Sequence, residues 1–293
     1  MTPSRHMPTP RLRRFAAELS QLHTAADLGS QQLTRRTRVS PATVHRVINA
    51  QVCPQHRTVA ALLDAYGTPE LQRNAVLALH GMALVEQAEL REYPPDLPTQ
   101  YVTYMRYEAM ARSVQNFEAQ FVPGLLQTRA YTRAVIQGVR PTLPPESVHH
   151  RVEVRTGRQS LLTGDRPLHL AVIMDEAALW RQVGGPLIMG EQLRHLHAAA
   201  AQPNITLQVI PYRAGAHAGM TGSFAVLHFV EDAEPDVVYI DGSMETAFFD
   251  AETDVQRYAG TFGDLQRVAL TPDDSLALIA TAAATFEREE VTA

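Results

Sequence analysis

The sequence contains no lysine; every one of its 26 basic residues is arginine. Both side chains attract phosphate, so we read the bias as an effect of genome composition and draw no function from it. Cysteine is almost as scarce. Cys53 stands alone, which excludes an internal disulfide and sets the expectation of a reducing, cytoplasmic compartment. No apolar run approaches the roughly 20 residues that a bilayer-spanning helix takes. The best is Leu168 to Met174, and no membrane partner is expected. The opening MTPSRHMPTPR lacks the apolar segment of a secretory signal, so residues 1–10 are expected to form a disordered arm.

Catalytic signatures are missing too. There is no phosphate loop, no GxGxxG and no GxSxG nucleophile turn. His195 and His197 stand two apart on an expected helix and diverge, and His149 and His150 are adjacent, so neither pair has metal-ligand spacing. No cofactor, metal or catalytic residue is expected.

What is present is asymmetry. A chain of 293 residues, 45% of them apolar, has room for two domains with real cores. Residues 1–58 hold nine arginines against Glu18 and Asp27, a net +7, while the whole chain is net −5 and the remaining 235 residues carry −12. A basic end on an acidic chain points to nucleic-acid binding at that end.

The basic end is organised around LGSQQLTRRTRVSPATVHRVIN, Leu28 to Asn49, which reads as two short helices joined at Arg38-Val39. Ser30 is expected to cap the first, with Leu33 and Thr37 inward and Gln31, Arg35 and Arg36 outward. The second opens with Ser40 as N-cap and Pro41 at the first helical position, where its missing N–H costs nothing. Val44, Val47 and Ile48 follow at helical spacing and leave Thr43, His45, Arg46 and Asn49 on the opposite face. A short capped helix with a cationic outer face is shaped for a DNA major groove. An ordinary amphipathic helix pair has the same pattern; the local charge favours the DNA reading. The neighbours agree. Leu12, Phe15, Leu19 and Leu22 repeat at helical steps before the pair, Val59, Leu62, Leu63 and Tyr66 do so after it, and a further helix from Thr68-Pro69 through Leu79 makes five.

Over roughly residues 11–80 this pattern resembles the Xre, or Cro/repressor-like, helix-turn-helix domain. The resemblance implies that the second helix of the pair reads bases and the first braces the backbone. By matching positions it places Ala42, Thr43, His45 and Arg46 at base edges, with Pro41 beside them, and Ser30, Gln31, Arg35, Arg38, Ser40 and Asn49 at phosphates. Arg46 is the residue suited to a bidentate contact with guanine. Two positions depart from the family: Arg38 stands where a turn glycine is usual, and Thr34 where a small alanine is usual.

EYPPDLP, at residues 92–98, breaks any helix, so 11–91 is expected to be the DNA-binding domain and 92–100 a linker. Beyond it, residues 101–286 read as a mixed α/β domain, a small sheet covered by helices, with a tail at 287–293; the chain as a whole is α+β. Tyr101 to Phe117 is expected to be one helix carrying a Glu108–Arg112 pair. A turn at Pro123-Gly124 leads into another, and a third runs from Ser147 to Leu162 with Arg151, Arg155 and Arg158 near one face, taken as solvated surface. Strands are expected at Leu168–Met174, Ile205–Ile210, Phe224–Phe229 and Val237–Ile240, and helices at Asp175–Gln182, Leu187–Ala201, Ala251–Val268 and Pro272–Phe286.

The segments FVPGLLQTRAY, RTGRQSLL, DEAALWRQVGG and NITLQVIPYRAGAHAGMTGSF make residues 101 to about 281 resemble the C-terminal domain that follows an Xre head in many actinobacterial regulators, WhiJ-like and antitoxin-like proteins among them. That resemblance implies a transcriptional regulator, often paired with a small partner protein. The expected partners are double-stranded DNA, a second copy of the chain in a homodimer, and a small protein or small-molecule effector. The candidate effector pocket comprises Glu108, Gln127, Arg158, Gln159, Glu176 and His217. The alternative is a biosynthetic enzyme with His217 as a general base on its glycine-bearing loop and the head kept as a scaffold.

Overall fold

A computed structural model describes residues 8–90, 97–230, 234–242 and 246–292. The chain divides into two compact units, Met1–Thr103 and Tyr104–Ala293.

The first unit is helical: α1 (Pro10–Ala25), α2 (Ser30–Thr37), α3 (Pro41–Ile48), α4 (His56–Tyr66) and α5 (Glu70–Leu90). Helix α1 starts where the sequence offers both a cap and a proline. The Thr9 hydroxyl accepts from the Leu12 N–H, and Pro10 takes the first turn, where no donor is required. Its apolar stripe, Leu12, Phe15, Leu19 and Leu22, packs against Leu33, Val44, Val47, Val59, Leu62, Leu63, Val76 and Ala83. These are the three- and four-residue repeats of the sequence closed into one core. Helix α5 continues well past Leu79, and its Ala83 is fully buried. Thr9 and Pro10, expected to lie in the arm, form the start of α1, and residues 1–7 lie outside the described residues. Most of the expected linker, 92–96, lies outside them as well.

Helix α6 (Thr99–Met110) precedes β1 (Ser113–Glu118), a 3₁₀ turn at Gly124–Leu126, α7 (Arg129–Val139), α8 (Pro145–Gly157) and a 3₁₀ turn at Arg158–Leu162. Then come β2 (His169–Asp175), α9 (Ala177–Trp180), α10 (Pro186–Ala199), β3 (Ile205–Ile210), β4 (Phe224–His228), β5 (Val237–Asp241), β6 (Thr246–Phe249), α11 (Glu252–Val268) and α12 (Pro272–Thr292). The six strands form one mixed sheet in the order β3-β2-β1-β4-β5-β6, parallel from β1 to β3 and antiparallel from β4 onward. Helices cover both faces. Leu170, Val172, Met174, Leu207 and Val209 pack with α10 and α12, while Phe117, Ile173, Val226 and Val238 pack with Val255, Phe262 and Leu265 of α11. The mixed α and β architecture is thus as the sequence indicates.

Three expectations are corrected. The helix expected over Tyr101–Phe117 ends at Met110, and its last third is strand β1, at the centre of the sheet. Val114 lies opposite Leu170 on one side and Leu227 on the other, so tertiary pairing overrides a local helical pattern. Arg112 therefore makes no helical pair with Glu108. Its N–H donates to the His228 carbonyl at 2.8 Å, and its own carbonyl accepts from His169 N–H at 3.2 Å, extending the ladder. Strand β6 carries no expectation at all, because TAFF is too short to show a period. Finally, α12 continues to Thr292, through what reads as a tail.

Candidate nucleic-acid interface

The geometry of the helix pair follows from its caps. Ser40 is extended, and its hydroxyl accepts from the Thr43 N–H at 3.2 Å, fixing the start of α3. The Ser40 and Thr43 hydroxyls also lie 2.9 Å apart, so each orients the other. Val44 and Val47 are buried, leaving Ala42, His45, Arg46 and Asn49 exposed along one face and Thr43 half-buried beside them. The Asn49 amide donates to the His45 carbonyl at 2.7 Å and closes the last turn. In α2, Leu33 is buried while Gln31, Arg35 and Arg36 are exposed. Ser30 is not the cap of that helix: Gly29 holds the N-cap position without a side-chain bond, and Ser30 is the first helical residue. The first N–H groups of α2 are thus left without a side-chain acceptor beside the exposed Ser30 and Gln31.

Between the helices Arg38 adopts a left-handed conformation, φ 58°, ψ 19°, with its N–H donating to the Thr34 carbonyl at 2.8 Å. Arg36 reaches back to the Ala65 carbonyl at the end of α4, a brace within the unit. Arg35, Arg38 and Arg46 make no ion pair with any described residue, so their guanidinium groups stand in water on the outside of the pair.

Sequence reasoning missed the polar core behind this face. His80 of α5 is fully buried, with Nε2 2.8 Å from the Pro54 carbonyl and its ring against Phe15 and His56. It ties the loop that follows α3 to the longest helix of the unit. Burial lowers its pKa, opposed by the Pro54 hydrogen bond. A histidine in a helical stretch carries no sequence signal for such a role. Nearby, burial and the charge of Glu86 push the Cys53 thiol up to about 11, which leaves it protonated and unreactive. The Thr9 hydroxyl bonds the Glu86 carboxylate, another polar link across the helical core.

In the second unit, four of the six candidate pocket residues come together. Arg158 holds Glu108 through two bonds, Nε to Oε2 and Nη2 to Oε1, both 2.7 Å, and the Tyr104 hydroxyl donates to Glu108 Oε1 at 2.8 Å. The guanidinium also sits over the Tyr104 ring, which stacks on Tyr239. Gln127, 3% exposed, donates to the Val122 carbonyl and accepts from Thr132 and Arg155. Its own carbonyl accepts from Gln159 at 2.6 Å. Gln192 bonds both Leu126 and Thr128. The conspicuous PGLLQT and GRQ segments are therefore the two halves of one hydrogen-bonded framework. For Arg155 and Arg158 this replaces the expected solvated surface with buried or half-buried bonds.

Glu176 and His217 engage other partners. Glu176 accepts from Trp180 Nε1 and from the Tyr212 N–H, and His217 Nε2 lies 3.1 Å from Asp175 Oδ2. Glu118, at the end of β1, is pushed up to about 7 by burial. Hydrogen bonds with Ser223 and Asn116 oppose this shift, the charge of Asp241 adds to it, and Arg155 counters it. Two surface cavities, about 770 Å³ between α1 and the end of α3 and about 260 Å³ between α10 and α12, are lined by none of the six. Among the described residues no helix is long and apolar enough to cross a membrane.

A capped second helix with a cationic face, set by a tight turn after a first helix that is anchored through Leu33, defines a helix-turn-helix protein of the DNA-binding class. In agreement, the family described as Helix-turn-helix domain matches residues 14–76. Residues 101–281 match the family described as Domain of unknown function (DUF5753), and the chain belongs to that family. No curated protein and no solved structure matches the chain.

Proposed function

We propose that the chain is a sequence-specific, Xre-type transcriptional regulator that places α3 in the major groove, one half-site per protomer of a homodimer. The observation that carries this reading is the outer face of α3, Ala42, Thr43, His45 and Arg46, flanked by Arg35 and Arg38, whose side chains make no bond to any described residue. Arg46 takes the bidentate role toward guanine, and Ala42 and Thr43 pack on thymine methyl groups. Ser30, Gln31, Arg35, Arg38, Ser40 and Asn49 face phosphates, with the uncapped start of α2 adding its partial positive charge.

The second domain, in this reading, holds the dimer and binds a small protein or metabolite effector, as its likeness to WhiJ-like regulators suggests. Its framework of Glu108, Gln127, Arg158 and Gln159 is a rigid support for such a site, and Glu176 and His217 stand at the C-terminal end of β2. The enzyme alternative looks to a small substrate near His217 and Arg158; their polar atoms engage separate partners, Asp175 and Glu108.

The test is binding to fragments of the DNA upstream of its own coding sequence across a salt series, beside Arg46→Ala. Sequence-preferring binding that weakens as salt rises, with preference relaxed by about 1–3 kcal/mol in the variant, is the expected result. Sequence-indifferent, weak binding by the parent protein would overturn the operator model.

A further inference from the structure

Among the described residues three non-glycine positions take positive φ: Asp27 at 45°, Arg38 at 58° and Ala50 at 54°. All three lie in the connections that bound α2 and α3. Helix α4 of the same unit ends on Gly67, φ 66°, the residue that enters this region without steric cost. The chain thus uses glycine where it ends a helix away from the recognition pair and retains side chains around it.

For Ala50 the reason is internal. It ends α3 in a Schellman arrangement, its N–H on the Val47 carbonyl and the Gln51 N–H on the Arg46 carbonyl, and its methyl is buried in the unit's core. Arg38 has no such reason. Its backbone N–H ends α2 on the Thr34 carbonyl, a bond that a glycine would make equally well, while its side chain is exposed and makes no bond to any described residue, so no side-chain contact among the described residues offsets the strain.

We propose that Arg38 is retained in this strained turn as a phosphate clamp that adds affinity for any duplex DNA at the expense of the head's own stability, and contributes nothing to base preference. This rests on the helix-turn-helix reading above and assigns to one residue a trade between folding and binding. Three features support it: the turn places Arg38 two residues before the Ser40 cap of the reading helix, the guanidinium has no partner among the described residues, and the conformation is one a glycine adopts freely.

The experiment compares Arg38→Gly, Arg38→Ala and the parent full-length chain. Thermal unfolding is read beside binding to a generic duplex of mixed sequence and to the upstream fragment, both across a salt series. Arg38→Gly is expected to raise the melting temperature by about 4 °C while reducing the steepness of log affinity against log salt by about 0.9 per protomer on both DNAs. Its ratio of affinities for the two DNAs stays unchanged. Arg38→Ala loses the same slope without the gain in stability, because alanine keeps the strain. An unchanged slope in both variants overturns the clamp, and an unchanged or lowered melting temperature in Arg38→Gly overturns the trade. Should the parent itself show no preference for the upstream fragment, the operator reading falls; the stability comparison and the slope on the generic duplex still decide the role of Arg38.

Discussion

Arg158 and Glu108 set the energetics of the second unit at the level of single residues. Glu108 is 1% exposed and the Arg158 side chain 10%, and each of the two carboxylate oxygens receives a guanidinium N–H. Taking two charges out of water is costly, so the pair adds little net stability compared with an apolar substitute, but leaving one member alone is expensive. Glu108→Gln is therefore expected to destabilise the unit by about 3 kcal/mol, measured by denaturant unfolding. A loss below about 1 kcal/mol would mean that water reaches Arg158 in solution. Sequence placed Glu108 opposite Arg112 because a linear pattern can weigh only partners three or four residues apart on a helix. The true partner, 50 residues away, is brought in by the turn that ends α8.

Secondary-structure elements show a different balance. Helices α1 to α4 carry their own instructions: caps at Thr9 and Ser40, prolines at the first turn, apolar steps of three and four, and a glycine end at Gly67. Strand β1 carries few. It acquires its identity from β2 and β4 on either side, and from the loop folded over its end. There Gly219 lies so close that an added Cβ would meet the Phe117 ring at 2.3 Å, and that ring is fully buried. Gly219→Ala is expected to cost about 1–3 kcal/mol by forcing the ring or the loop to move, read as a lowered unfolding midpoint. Unfolding of the first unit should be unaffected because this element belongs to the second. Equal stability of the variant and the parent would show that the loop yields without straining the sheet.

At the scale of the molecule, two hydrophobic cores belong to the two units: Phe15, Leu19, Val47 and Leu62 in one, and a double-faced sheet around Val172 and Phe117 in the other. Two calorimetric transitions are expected, with opposite pH responses. His80 has a lowered pKa in the folded head, so below the ordinary value of 6.5 the unfolded chain takes up the proton first. The contribution of His80 is intact above pH 6.5 and is lost as pH falls through its folded pKa. Glu118 is shifted the other way, from 4.5 to about 7. Between those values the unfolded chain is the more ionised, so its contribution is complete below pH 4.5 and is lost as pH rises through 7. The difference in melting temperature between the parent and Glu118→Gln should therefore change across pH 4.5–7 in the second transition alone. A difference that is flat with pH would remove Glu118 as the cause.

By itself the sequence determined most of the head: its helices, the Ser40 cap and Pro41 start of α3, the inward valines and leucines, and the cationic outer face all follow from spacings within one or two turns, whereas the N-cap of α2 falls on Gly29 and not on Ser30. Local rules suffice there because a helix closes its hydrogen bonds within itself. The sequence also marked PGLLQT and GRQ as distinctive without showing that they touch. Only tertiary structure decided that Gln127 and Gln159 meet, that Glu108 pairs with Arg158, and that SVQNFE is the central strand. A strand borrows its hydrogen-bond partners from distant chain, and a buried ion pair forms only where packing removes water from both charges. Neither condition is written in the residues alongside.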